Sequence, residues 1–267
     1  MPKISIVVPV YEMRGHGVEC LNALLSSVYQ QTFRDYAIVI SDNSSGSDIL
    51  RYVDSLPDPF RKTICYTKNP GAKTIPVNLN HAMHHASGEL VKVLLQDDAF
   101  VRSDALQIIA DAYRQNPGAK WCLEACVHTS DFQKFWRLMV PSFNEFLIVG
   151  NNTISSPSVL SFKRELDPSF DVNLKLLTDV EFYFRQRMAH GEPLIVPTPL
   201  IANRVWTGQT QRSISAEEQF AELVHIANKY PTVVDAAYVN RAKQHFAARG
   251  DGRTAGLLAQ LESRAHQ

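Results

Sequence analysis

Two acids stand side by side where an apolar run stops. Residues 89–100 read ELVKVLLQDDAF, and the apolar character breaks at Asp97 and Asp98. Adjacent carboxylates repel unless something positive shares them, and a hard divalent cation carried by a phosphate is the usual partner. A strand buried on both faces is almost continuously apolar, so the switch to two acids places them at a rim and not in the core. That rim is the C-terminal end of a strand, where open α/β sheets bind ligands. The same dipeptide also suits a solvated turn leading to a helix capped by Asp104.

Two earlier strand ends should open on the same edge: Pro9-Val10-Tyr11-Glu12 and Ser41-Asp42-Asn43. There Asp42 could accept from a base N–H or a ribose hydroxyl, Tyr11 could stack, and Asp97 and Asp98 could manage ribose and metal-diphosphate. Asp42 equally fits an Asx-turn before the next helix.

The elements that must position these residues alternate. Periodicity predicts strands over 4–10, 36–40, 63–67 and 90–95, and helices over 18–30, 47–55, 76–86 and 105–114. Such alternation implies parallel strands with helices on both faces. After Gly118 the pattern becomes mixed, with strands over 121–128 and 159–162, a helix over 179–189, and one or two proline-broken strands over 194–206. Between them, 131–150 is rich in aromatics (Phe132, Phe135, Trp136, Phe143, Phe146) that suit an acceptor site, a membrane interface or core packing. From Ser215 the composition turns to Ala, Glu, Gln and Leu, with Ser215 and Glu218 spaced as a capping box and helices expected over 216–229, 233–248 and 254–265.

The chain has 267 residues, with 27 Lys and Arg against 27 Asp and Glu, so no global charge argues for a nucleic-acid surface. Of the four cysteines only Cys122 and Cys126 lie close, as C-x-x-x-C, and no second Cys/His pair at zinc spacing accompanies them, so all four are expected to stay reduced. Without a leader-like start or a bilayer-length apolar run, the expectation is a cytoplasmic protein lacking a transmembrane segment. His81, His84 and His85 share a helix face but have no acidic partner motif, so they are read as surface or packed histidines.

The order VVPVYE, VISDNSSGSD and NPGAKTIPVNLNHAMHHASGELVKVLLQDDAF resembles the nucleotide-binding half of inverting family 2 glycosyltransferases of GT-A fold. In that family the corresponding strand ends carry a Pro-Val-Tyr-Asn-like turn, an Asp-Asp-Asn-Ser-like turn and an x-Asp-Asp signature. The resemblance implies that Pro9, Tyr11 and Glu12 line the base pocket, that Asp42 contacts the base, that Asp97 holds the ribose, and that Asp98 coordinates Mn²⁺ or Mg²⁺ on the donor diphosphate. Asn78 stands where the family has the Asn of an Ala-Arg-Asn-like motif; Val77 replaces its Arg, leaving Lys73 or Lys68 to supply a cation. The segment around Thr178-Asp179 resembles the family's Glu-Asp motif, with Thr178 for the Glu, which makes Asp179 the implied base and Glu181 its runner-up. After the last strand, Arg204, Trp206, Gln209 and Arg212 fall where the family closes a loop over the diphosphate.

The resemblance thus implies an α/β protein: a GT-A domain over 1–212, with a Rossmann-like nucleotide-binding half (1–104) and a mixed-sheet acceptor half (105–212), and a helical C-terminal appendage over 213–267. Its expected activity is metal-dependent, inverting hexosyl transfer from a nucleotide-sugar donor, a UDP-sugar, to a glycan or lipid-linked acceptor in polysaccharide or glycoconjugate assembly. Expected associations are peripheral contact with a membrane and self-pairing through the C-terminal helices, with no nucleic acid. A non-catalytic nucleotide-sugar-binding module and a Mg-dependent nucleotidyltransferase are the competing readings.

Overall fold

The computed structural model describes residues 3–166, 169–206 and 214–264. Strand β1 (Ile4–Val10) is buried along its whole length, so both its faces are covered. It pairs in parallel with β2 (Tyr36–Asp42) on one side and β4 (Leu90–Val93) on the other, and β2 pairs in parallel with β3 (Ile64–Lys68). The expected parallel strands of the first half are therefore present, in the spatial order β3-β2-β1-β4.

β4 is shorter than the pattern 90–95 suggests, and that shortening opens the crevice. Its pairing with β1 ends at Val7 opposite Val93, and a last backbone bond runs from Leu94 N–H to the Val7 carbonyl (3.0 Å). Pro9, which has no N–H to give, lies just past this point, where β1 has a ladder partner only in β2. Helix α1 (Gly17–Tyr29) returns so closely beneath the loop after β1 that a Cβ on Gly17 would sit 2.4 Å from the Tyr11 carbonyl oxygen. Only glycine fits there.

The second half extends the same sheet with mixed polarity: β8 (Leu160–Lys163) is antiparallel to β4 and to β6 (Trp121–Thr129), β9 (Leu194–Arg204) is parallel to β6, and β5 (Ala99–Phe100) is antiparallel to β9. β9 is one continuous strand despite Pro197 and Pro199, because the register against β6 slips there: Glu124 faces Val196 and Ala125 faces Pro199. The aromatic stretch contributes β7 (Phe135–Met139), antiparallel to the part of β6 that β8 does not reach.

Helices α2 (Asp48–Asp54), the single turn α3 (Asp58–Arg61), α4 (Ile75–His84), α5 (Ala105–Gln115) and α6 (Thr178–His190) complete the body. The tail forms α7 (Ala216–Lys229), α8 (Ala236–Ala248) and α9 (Gly252–Arg264), with the Ser215/Glu218 capping box in place. Its apolar face, including Leu223, Ile226, Val239, Ala242 and Leu258, is buried within the chain, so the amphipathic pattern is satisfied internally. Fully buried Glu181 of α6 takes Lys229 Nζ at 2.9 Å and the Tyr230 hydroxyl at 2.6 Å, which ties the tail to the body.

A buried ion pair lies across the middle of the sheet. Lys92 Nζ donates to Glu124 Oε2 (2.6 Å) and to the Ser158 carbonyl, and the Ser161 hydroxyl donates to Glu124 Oε1 (2.6 Å). Both ionic side chains are fully buried. The pair fixes the turn 156–159, whose Ser158 hydroxyl accepts the Leu95 N–H at 2.8 Å in place of a strand partner. Lys92→Met should destabilise the fold by about 3–5 kcal/mol in urea unfolding, because Glu124 is left charged without its partner. The paired change Lys92→Met with Glu124→Leu is expected to recover most of that loss.

Candidate active site

A cavity of about 380 Å³ opens where β1 and β4 part. Asp97 and Asp98 lie on its wall, carried there by the turn after β4. Gln96 locks that turn to the first loop: its Oε1 accepts the Tyr11 N–H (2.9 Å) and its Nε2 donates to the Tyr11 and Gly17 carbonyls (3.1 and 2.7 Å).

The two acids have different surroundings. Asp98 is 1% exposed; its Oδ1 accepts the Arg204 N–H (2.9 Å), its Oδ2 accepts the Ser156 hydroxyl (3.2 Å), and Asn203 Nδ2 lies 3.2 Å from both oxygens. Burial, followed by the repulsion of Asp97, pushes its pKa up to about 7. Asp97 is half-buried, receives the Trp206 indole N–H on Oδ2 (2.9 Å), and is also raised by burial, against the pull of Trp206 and Arg204. Two desolvated, like-charged oxygen donors at a cavity wall fit a hard divalent cation, which would restore ionisation to both.

Beside the acids, Pro9, Tyr11, Asn43, Ile75 and Asn78 form one wall. Tyr11 is 36% exposed, and Asn78 is held by the Ser41 hydroxyl (2.6 Å) and by its own bond to the Val10 carbonyl (3.2 Å). Asp42 departs from the expected base contact: it is fully buried and does not line the cavity. Its Oδ1 accepts the Ser44 N–H (2.7 Å) in an Asx-turn, while its Oδ2 takes the Tyr66 hydroxyl (2.5 Å) and Lys68 Nζ (2.9 Å). These bonds hold its pKa down against burial. The alternation of strand β2 sends Asp42 inward and leaves Asn43 at the wall. Glu12 and Lys73 also stand outside the cavity lining, one accepting the Ser45 N–H (3.3 Å) and the other donating to the Ser45 hydroxyl (2.8 Å). Lys68 is likewise committed to Asp42.

The opposite wall carries Asp179, in the first turn of α6. Burial pushes its pKa up to about 7, partly offset by the Val180 N–H (2.8 Å) and Asn152 Nδ2 (2.9 Å). Beside it, Thr178 presents a buried hydroxyl that has no hydrogen-bond partner among the described residues. Glu181, the runner-up, is turned away and spent on Arg185, Lys229 and Tyr230. Arg204 lines the cavity, with its guanidinium 5.5 Å from the Phe132 ring centroid, and Trp206 meets Asp97 through its indole N–H. Gln209 and Arg212 lie outside the described residues.

Several site residues carry no motif in the sequence. Asn152, Ser156 and Asn203 hold the acids, and His128, Arg137 and Lys175 supply polar lining. Glu222 of α7 is 5% exposed and accepts the N–H groups of Lys175, Leu176 and Leu177 (2.8, 3.0 and 2.8 Å), the three residues before Thr178 and Asp179. The C-terminal tail thereby fixes the entry to the helix that bears Asp179. Helical spacing could mark Glu222 as facing inward beside Leu223 and Ile226, but only the fold shows what it meets.

Comparison with known proteins gives three findings. The family profile described as Glycosyl transferase family 2 matches residues 5–164. A GalNAc(5)-diNAcBac-PP-undecaprenol beta-1,3-glucosyltransferase of Campylobacter jejuni is 33% identical over 99 residues, which is 37% of this chain and 30% of that protein's length. Among solved structures, Staphylococcus aureus TarS 1-349 in complex with UDP superposes with a TM-score of 0.65 at 17% identity, over 92% of this chain and 72% of that one. The mannosyltransferase PcManGT of Pyrobaculum calidifontis, in complex with GDP-Man and Mn2+, superposes with a TM-score of 0.59 at 18% identity, over 100% of this chain and 81% of that one.

Glu222 also raises the pKa of Asp179 by its charge, the smallest of the named influences. Glu222→Gln should therefore lower the Asp179 pKa below about 7 in a carboxyl NMR titration. It should also cost about 1–3 kcal/mol of stability through the weakened acceptor.

Proposed function

The chain belongs to glycosyltransferase family 2, and from that premise we propose that it transfers a sugar from a UDP-sugar to a hydroxyl of a glycan or lipid-linked acceptor, with inversion at the anomeric carbon. One observation carries the proposal: a carboxylate pair and a third carboxylate with a pKa near 7 line a single cavity from opposing elements, the turn after β4 and the first turn of α6. The UDP and GDP-Man complexes of the structural neighbours support a nucleotide-sugar donor. The Campylobacter protein's action on an undecaprenol-linked glycan supports the lipid-linked acceptor.

In this reading Tyr11, Pro9 and Asn43 flank the base, Asn78 keeps the β1 loop in place, and Asp97 meets the ribose. Asp42 serves the base pocket from behind, through the turn that presents Asn43. Asp98 would hold Mn²⁺ or Mg²⁺, which supplies Lewis-acid neutralisation of the diphosphate. Around Asp98, the Arg204 N–H (2.9 Å), the Ser156 hydroxyl (3.2 Å) and Asn203 Nδ2 (3.2 Å) hold its orientation. Arg204 and Lys175 line the cavity and add positive charge for the departing nucleotide.

Asp179 accepts the acceptor's hydroxyl proton as the acceptor oxygen bonds to the anomeric carbon and the bond from that carbon to the diphosphate oxygen breaks. A carboxyl raised to about 7 is a stronger base than an exposed one and is still substantially ionised at neutral pH. Asn152 and the Val180 N–H keep it oriented.

Three outcomes test the reading. By calorimetry with UDP and Mn²⁺, Asp98→Asn should abolish metal-dependent donor binding, whereas Asp179→Asn should leave it nearly intact. In turnover assays Asp179→Asn should lower the rate by about two to four orders of magnitude. Because the base acts only when deprotonated, the wild-type rate should rise with pH through about 7, and that limb should vanish in Asp179→Asn. Equal loss of donor affinity in both variants would overturn the division of roles.

A further inference from the structure

Strand β7 exposes a row of large apolar side chains: Phe135 is 49% exposed, Trp136 44%, Leu138 56% and, just past the strand, Val140 42%. Its only strand partner among the described residues is β6, so it forms an edge. Edge strands are normally blunted by charge, and a contiguous apolar edge marks an interaction surface. Between residues 132 and 143 the only charges are Lys134 and Arg137, both positive and both exposed. Asp131, the nearest acid, is committed to the Gln133 and Lys134 N–H groups, at 2.9 Å each.

The backbone argues against β-addition by another protein. Arg137 has φ +44° and the ladder with β6 shifts between Val127 and His128, so the outer edge is no regular template, and Pro141 follows directly. A lipid surface needs no register. It selects aromatic and aliphatic side chains flanked by cations, as this strand presents. The row is also continuous with the cavity, since Arg137 and Met139 of the same strand line it.

We propose that β7 is a contact surface for an anionic lipid bilayer: Phe135, Trp136, Leu138 and Val140 enter the headgroup boundary, Lys134 and Arg137 meet lipid phosphates, and the cavity mouth is thereby set at the membrane. This rests on the reading of a lipid-linked acceptor, because it explains how the sugar-accepting end of a membrane-held molecule reaches Asp179. The contact is interfacial, since among the described residues no helix is long and apolar enough to cross a membrane.

The test is co-sedimentation of the full chain with vesicles of phosphatidylcholine alone and of phosphatidylcholine mixed with phosphatidylglycerol. Binding is expected to the mixed vesicles, weakened by added salt. The double variant Trp136→Ser with Leu138→Ser, at exposed edge positions outside the cavity lining, should lower partitioning at least about tenfold. Lys134→Gln should lower it about fivefold. Quenching of wild-type tryptophan fluorescence by brominated lipid, lost in the Trp136→Ser variant, would place that side chain in the interface without relying on how the double variant folds. Absence of sedimentation with anionic vesicles, or equal partitioning of wild type and double variant, overturns the proposal. A concentration-dependent dimer broken by the double variant, without vesicle binding, overturns it in favour of a second copy of this chain. Donor binding measured in lipid-free solution reports separately on the glycosyltransferase reading, so each can fail alone.

Discussion

Two like charges withdrawn from water beside each other set the terms for the whole site. Asp97 and Asp98 are neighbours in sequence, both are raised by burial, and Asp98 feels Asp97 as its next largest influence. Such a pair is costly unless counter-charge is delivered, so it is a poor structural device and supports the proposed cation-bound donor. The surrounding residues hold Asp98 with neutral donors from three directions, Ser156, Asn203 and the Arg204 N–H, without neutralising it.

Holding charged groups under tension requires a rigid frame, and the frame is polar as well as apolar. The Lys92–Glu124 pair pins the 156–159 turn from below, Tyr183 of α6 donates to the Ser156 carbonyl at 3.0 Å, and Gln96 clamps the acids' turn to the β1 loop. Each of these groups is buried and hydrogen-bonded, so displacement of one leaves others unsatisfied. Preorganisation of that kind keeps donors and acceptors aimed at charge that arrives only with a ligand.

The tail belongs to this frame. Its apolar face closes on the body, Glu222 caps the chain just ahead of Asp179, and Lys229 reaches Asp171 and Glu181. The helical segment expected as an appendage is thus coupled to the wall that carries the third carboxylate. Meanwhile β7 leaves its own apolar row uncovered while contributing Arg137 and Met139 to the cavity, so one short strand faces both the site and the outside.

Much of the first, parallel half was legible in the residues, because period-two apolar runs, helical spacing and Asp-rich strand ends are local properties written along the chain. The strand 4–10, the strand expected over 36–40 and observed over 36–42, the acids at the end of the fourth strand, the capping box at Ser215 and the placement of Asp179 at a helix start all follow from such signals. What local signals could not decide was direction and partnership. Asp42 reads as a ligand contact until the pleat of β2 turns it inward to Tyr66 and Lys68; Lys73 reads as a free cation until Ser45 takes it. Asn203, Ser156, Asn152 and Glu222 are ordinary polar residues in sequence, and they matter because strands and helices distant along the chain bring them to the acids. Sequence determined which groups could carry charge and at which strand ends they would appear; tertiary structure alone decided which of them lost their water, since desolvation depends on every neighbour at once and most of those neighbours are distant along the chain.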